Sequence, residues 1–125
     1  MTGTKKAAEI ARLALDKKAS DVVILELKGL AGFTDYFVIC SGDSSVHVKT
    51  IVEHLQEALL KKKIRPLGIE GEKAGRWVLM DFGDVIVHIF DDETRRYYEL
   101  EKLWLDAPRL PVEDRVKGTK KAAGS

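Results

Sequence analysis

The chain has 125 residues, of which 45 % are hydrophobic and 33 % charged, and its net charge is +1. That length suits one domain with a core of its own, and the near-neutral balance argues against holding nucleic acid by bulk positive charge. No apolar run reaches the ~18–20 residues of a membrane span, and the single cysteine, Cys40, excludes an internal disulfide and suits a reducing compartment.

The opening stretch MTGTKKAAEIARLALDKK lacks the continuous apolar core of a secretory signal and carries acids, so the chain reads as cytosolic. Residues 5–18 place Ala7, Ile10, Ala11, Ala14 and Leu15 near helical spacing, with lysines and Arg12 on the other side. The β-branched run VVILEL, 22–27, reads as a strand, and KGLAGFTD, 28–35, as a loop. YFVICSG, 36–42, is apolar on both faces and suits a central strand.

Asp43, Ser44 and Ser45 are candidate caps for a second helix, whose stripe is Val48, Ile51, Val52, Leu55, Ala58 and Leu59. Lys61, Lys62 and Lys63 close it, where cations complement the helix end. IRPLGIEG, 64–71, is a short strand that Pro66 assigns to an edge or bulge. Two strands, 76–82 and 85–90, flank Gly83-Asp84, and glycine at the first central position suits a type II′ hairpin turn. A third helix, capped by Asp91 or Asp92, runs through Tyr97, Leu100 and Trp104 until Ala107-Pro108 stops it.

The order α-β-β-α-β-β-β-α gives an α/β domain at 1–107, a mixed five-stranded sheet with helices mainly on one face. The helix between strands 36–42 and 64–70 implies a parallel element. Residues 108–125 have little to bury and read as a disordered C-terminal tail.

The hairpin separates two faces. Phe82 pairs with Val85, Met80 with Val87 and Val78 with Ile89 on one face, which is purely apolar and belongs under helices. On the other, Asp81 pairs with Ile86, Leu79 with His88 and Trp77 with Phe90. Aromatic residues beside isolated polar groups are the make-up of a protein interface. The same residues would also serve as ordinary core beneath the N-terminal helix, with His88 a satisfied sheet histidine and Asp81 a turn acceptor. Spacing leaves both readings open.

Four motifs stand in register: TDYFVICSG at 34–42 with the serine-capped helix after it, RPLGIEG at 65–71, WVLMDFGDVIVHIF at 77–90 and RRYYELEKLW at 95–104. Together they resemble the ribosomal silencing factor family, the Iojap-like proteins, over roughly residues 5–106. The resemblance implies a fold similar to nucleotidyltransferases without catalytic residues. It implies binding to the large ribosomal subunit through its ribosomal protein fourteen, which blocks docking of the small subunit and represses translation when nutrients are scarce. Free members of the family often form homodimers. The family's tryptophan-bearing strand matches Trp77, with Val78 and Leu79 following. The expected partner-binding set is therefore Trp77, Val78, Leu79, Asp81, His88 and Phe90, with Glu70 and Glu72 meeting basic residues of the partner. Either Tyr97 or Tyr98 must point away from the core, and a dimer seam is equally open to that residue.

Rival readings have less to carry them. SGDSS, 41–45, leads from a strand into a helix N-terminus, a natural anion site for a phosphoryl-transfer enzyme, but no D-x-D or D-x-E pair follows it and Ser44 or Ser45 as a cap explains it. His47, His54, His88 and Cys40 lack metal-ligand spacing, so neither metal nor cofactor is expected. The lysines at 61–63 and in the tail add at most salt-dependent contact to ribosomal RNA, without a recognised RNA-binding motif.

Overall fold

The computed structural model describes residues 1–112. Thr2 caps α1 (Gly3–Asp16) by accepting from the Lys5 backbone N–H, and Ala7, Ile10, Ala11, Leu13 and Ala14 turn inward. Ser44 caps α2 (Ser45–Lys61) in the same way, accepting from the His47 N–H at 3.1 Å. The α2 stripe buries Val48, Ile51, Val52, Leu55 and Leu59 as its spacing predicts, whereas Ala58 is only partly covered.

The strands are β1 (Ser20–Glu26), β2 (Tyr36–Gly42), β3 (Gly68–Glu70), β4 (Trp77–Asp81), β5 (Val85–Asp91) and β6 (Arg109–Leu110). They form one mixed sheet in the order β3-β4-β5-β2-β1-β6. The sheet thus has six strands rather than the expected five. The sixth is two residues long, too short to show any periodicity, and it pairs with the outer edge of β1 through Ile24 and Leu25. Glu26 N–H also donates to Pro108 O at 2.8 Å. A domain boundary at 107 therefore falls before a strand, and the reading of 108–125 as a tail does not hold for 109–110. Residues 113–125 lie outside the described part of the chain.

Strand β2 is buried along its whole length, and its parallel neighbour is β5. The parallel relation inferred between 36–42 and 64–70 is one of direction only. The α2 crossover carries the chain to the sheet edge at β3, and the β4–β5 hairpin returns to fill the space between. The hairpin register is the expected one: Trp77 opposite Phe90, Leu79 opposite His88, Asp81 opposite Ile86. Gly83 has φ +86°, and Phe82 N–H donates to Val85 O at 2.9 Å across the turn. Asp81 Oδ1 accepts from Gly83 N–H at 2.8 Å, the turn role open to it from sequence.

Two clusters sandwich the sheet. Helices α1 and α2 cover Val78, Met80, Phe82, Val85, Val87 and Ile89. On the opposite side Leu25, Leu27, Phe37, Ile39, Ile86 and Phe90 form a thinner cluster, flanked by Trp77, Leu79, Leu100 and Trp104. The third helix is shorter than its sequence suggests: α3 spans Asp92–Tyr98, Glu99 turns left-handed at φ +46°, and Leu100–Trp104 continues as a 3-10 helix. That break turns Trp104 toward Phe37, edge to face at 6.0 Å. The second face is thus covered in part by this 3-10 helix, and not by α1.

Candidate functional site

Trp77 sits half-buried at the start of β4 on the thinly covered face. Its indole N–H donates to His88 Nδ1 at 3.1 Å, and its ring stacks on Phe90 with centroids 4.8 Å apart at 27°. The Tyr98 ring also lies 4.9 Å from it, tilted at 48°, and Tyr97 meets Tyr98 at 5.0 Å. His88 in turn contacts Phe37 at 4.4 Å, edge to face. Aromatic side chains thus run across the sheet from the exposed Tyr97 to the 3-10 helix.

Local chain geometry fixes this row. Gly71, at φ +83°, precedes β4 so closely that a Cβ there would lie 2.1 Å from the Trp77 carbonyl oxygen. Asp91 ends β5 and caps α3, accepting from Thr94 N–H at 2.8 Å, so the helix that carries both tyrosines begins where the strand stops. Arg95, with 11 % of its side chain exposed, ties α3 back to the sheet. It donates to Asp21 O at 2.7 Å, to Ser41 Oγ at 2.9 Å and to Glu101 Oε1 at 3.0 Å. A cleft of about 730 Å³ opens beside Trp77, walled by Gly71, Arg76, Asp91, Thr94, Tyr97 and Tyr98.

His88 is 4 % exposed. Because Nδ1 accepts from the indole, its proton must sit on Nε2, which has no hydrogen-bond partner among the described residues. Burial pushes its pKa down to about 4, so the ring is neutral near pH 7.

The residues singled out from sequence divide. Trp77, Leu79 and Asp81 lie on the aromatic face, each partly exposed, and Glu70 is exposed opposite Leu79 on the same face. Phe90 and His88 lie there too but are buried, so they support the face from beneath. Val78 is fully buried against α2, as alternation along β4 requires, and Glu72 lines a groove beside Lys49, Val52 and Glu53 of α2. Those two do not share the surface with Trp77. Tyr97 and Tyr98 are 80 % and 54 % exposed, so neither enters the core. Phe33, Phe37 and Trp104 also join the row, though no hairpin pattern points to them. The alternation of Phe37 with Ile39 and Ser41 was the available signal.

Elsewhere, Ser44 in SGDSS acts as the helix cap. Burial raises the Cys40 thiol to about 12, which makes it a poor nucleophile. No three His, Cys, Asp or Glu side chains converge among the described residues.

The model of the family described as ribosomal silencing factor during starvation matches residues 2–125. The chain belongs to the ribosomal silencing factor family. It is 45 % identical over 98 residues to a ribosomal silencing factor of Halalkalibacterium halodurans, covering 78 % of this chain and 84 % of that one. A mouse protein named mitochondrial assembly of ribosomal large subunit protein 1 is 38 % identical over 95 residues, 74 % of this chain and 42 % of that one. A solved structure from Chromobacterium violaceum superposes with a TM-score of 0.80 at 31 % identity, covering 83 % of this chain and 87 % of that one. The silencing-factor match takes in the tail beyond Pro108, which the four sequence motifs leave outside. Membership in the silencing factor family gives the chain a regulatory role at the ribosome.

Proposed function

We propose that the chain binds the large ribosomal subunit through its ribosomal protein fourteen, using the face centred on Trp77, and that its bulk then blocks docking of the small subunit. Translation would be repressed in this way when nutrients are scarce. The observation that carries the reading is the row Tyr97, Tyr98, Trp77: three large aromatics on one face, with Trp77 held from beneath by His88 and Phe90. Interfaces of standard size bury roughly 800 Å² per partner and draw most of their energy from a few such anchors. A relative named for large-subunit assembly favours that subunit over the small one.

Within this reading Trp77 is the central anchor, with Leu79, Tyr97 and Tyr98 around it. Asp81 and Glu70 lie at the rim, where complementary charge to a basic ribosomal protein speeds encounter and weakens with salt. His88 and Phe90 act from underneath, while Val78 and Glu72 drop out of the contact set. No chemical step is required, and the nucleotidyltransferase-like architecture implied by the family resemblance serves as a rigid support. A homodimer of the free protein is a further expectation of the resemblance.

The test is sucrose-gradient sedimentation of purified large subunits with the full-length protein and with Trp77→Ala, before and after small subunits are added. Wild type is expected to co-sediment with large subunits and to suppress joined ribosomes. Folded Trp77→Ala is expected to do neither, since losing an anchor costs at least ~2 kcal/mol, about thirtyfold in affinity. Wild-type protein left at the top of the gradient would overturn the reading. Trp77→Ala that binds as tightly as wild type would move the surface elsewhere.

A further inference from the structure

His88 is a costly residue to place where it stands. A buried N–H without a partner is destabilising, and a leucine in its place on β5 would carry no such donor. The side chain is 4 % exposed, so it cannot meet a partner directly. Its one hydrogen bond among the described residues is the one it accepts from Trp77 at 3.1 Å.

That bond governs what Trp77 shows to solvent. The indole N–H is the ring's only polar group. Engaged on buried His88, it leaves the exposed remainder of the ring apolar, with no donor needing water or a partner. Phe90 beneath at 4.8 Å and Tyr98 beside it at 4.9 Å restrict the ring further, but neither offers an acceptor aimed at that N–H. Without His88 Nδ1, the half-buried indole can satisfy its N–H only by turning toward water. Stacking on Phe90 engages the ring's apolar face and offers its N–H no acceptor, so it leaves the N–H direction to His88.

We propose that His88 is a positioning residue for docking: it fixes the Trp77 indole with its N–H inward and so presents a dry, pre-set anchor to the protein partner. The inference rests on the docking face proposed above and assigns to His88 a role through Trp77 rather than a contact of its own. A pre-set anchor loses less freedom on binding, so the gain appears in affinity and not in the fold of the free protein.

The test uses the full-length protein with His88→Leu, His88→Asn, Trp77→Phe and the double variant His88→Leu/Trp77→Phe. Affinity for purified large subunits, the thermal midpoint and the indole N–H resonance of Trp77 in ¹⁵N-labelled protein are measured for each. His88→Leu is expected to weaken binding about tenfold while its midpoint stays within about 4 °C of wild type, and its indole N–H is expected to exchange faster with water. His88→Asn, whose side-chain oxygen can replace Nδ1 as acceptor, is expected to stay within about threefold of wild type in binding. In the Trp77→Phe background, which has no N–H to hold, His88→Leu is expected to change affinity by less than about twofold. Equal losses in both backgrounds, or a folded His88→Leu that binds like wild type, would overturn the proposal. An unchanged indole signal in His88→Leu would do the same. Wild type that does not bind large subunits at all would overturn the docking reading instead, and the indole signal alone would then decide whether His88 fixes the ring.

Discussion

Arg95 reaches from α3 to Ser41 on β2, its Nη1 donating to the serine hydroxyl at 2.9 Å. The same nitrogen holds the Asp21 carbonyl, which lies within the register shift of β1 between Ser20 and Val23, and Nε holds Glu101. One guanidinium therefore joins β1, β2 and the 3-10 helix to the element that bears Tyr97 and Tyr98.

Arg95→Met should detach that element without dissolving the sheet. Hydrogen bonds to charged groups contribute roughly 1.5–3 kcal/mol each, so a loss of about 2 kcal/mol in urea unfolding is expected. Hydrogen exchange is the sharper check: amides of residues 95–104 should lose protection while those of β2 and β5 keep it.

Gly71→Ala should destabilise by at least about 2 kcal/mol, because the left-handed backbone and the collision with the Trp77 carbonyl oxygen act together. Thermal unfolding followed by tryptophan fluorescence would report both the loss and any displacement of Trp77.

Stability should fall in mild acid. The folded-state pKa of His88 is depressed to about 4 from an ordinary 6.5, so the unfolded chain takes the proton first as pH drops. Its contribution is complete above pH 6.5 and is lost as pH falls through that value toward 4, amounting to about 3 kcal/mol. Glu9, held below its ordinary pKa chiefly by the hydrogen bond from Arg12, adds a loss of the same sign only at lower pH. Urea unfolding at pH 7 and pH 4.5 should show the drop in wild type and a smaller one in His88→Leu.

Tyr97→Ala should leave stability within about 0.5 kcal/mol, since the side chain is 80 % exposed, yet weaken binding to large subunits. Equilibrium unfolding and co-sedimentation on one preparation separate the two effects. A variant weakened in neither would remove Tyr97 from the docking face.

The hairpin is legible because its alternation and its glycine turn specify one register, which puts Trp77, Leu79 and Asp81 on one face; the choice of that face for docking comes from the family resemblance. The depth of His88 and Phe90 was not legible. It depends on Phe37 and Trp104, which arrive from β2 and from a helix whose break at Glu99 follows no glycine or proline signal. Nothing in the sequence distinguishes Arg95 from its neighbour Arg96, and only tertiary placement gives it three acceptors. Strand β6 carries no sequence signal because two residues have no period, and β1 supplies the partner that makes them a strand.

Those two residues also protect the molecule from its own copies. Without Arg109 and Leu110 the run VVILE of β1 would present open backbone donors and acceptors along an edge rich in β-branched side chains. Cutting the chain after Ala107, where its composition suggests a tidy boundary, would bare that edge and invite strand-to-strand self-association. A shortened protein would then fail by clumping well before it failed by unfolding.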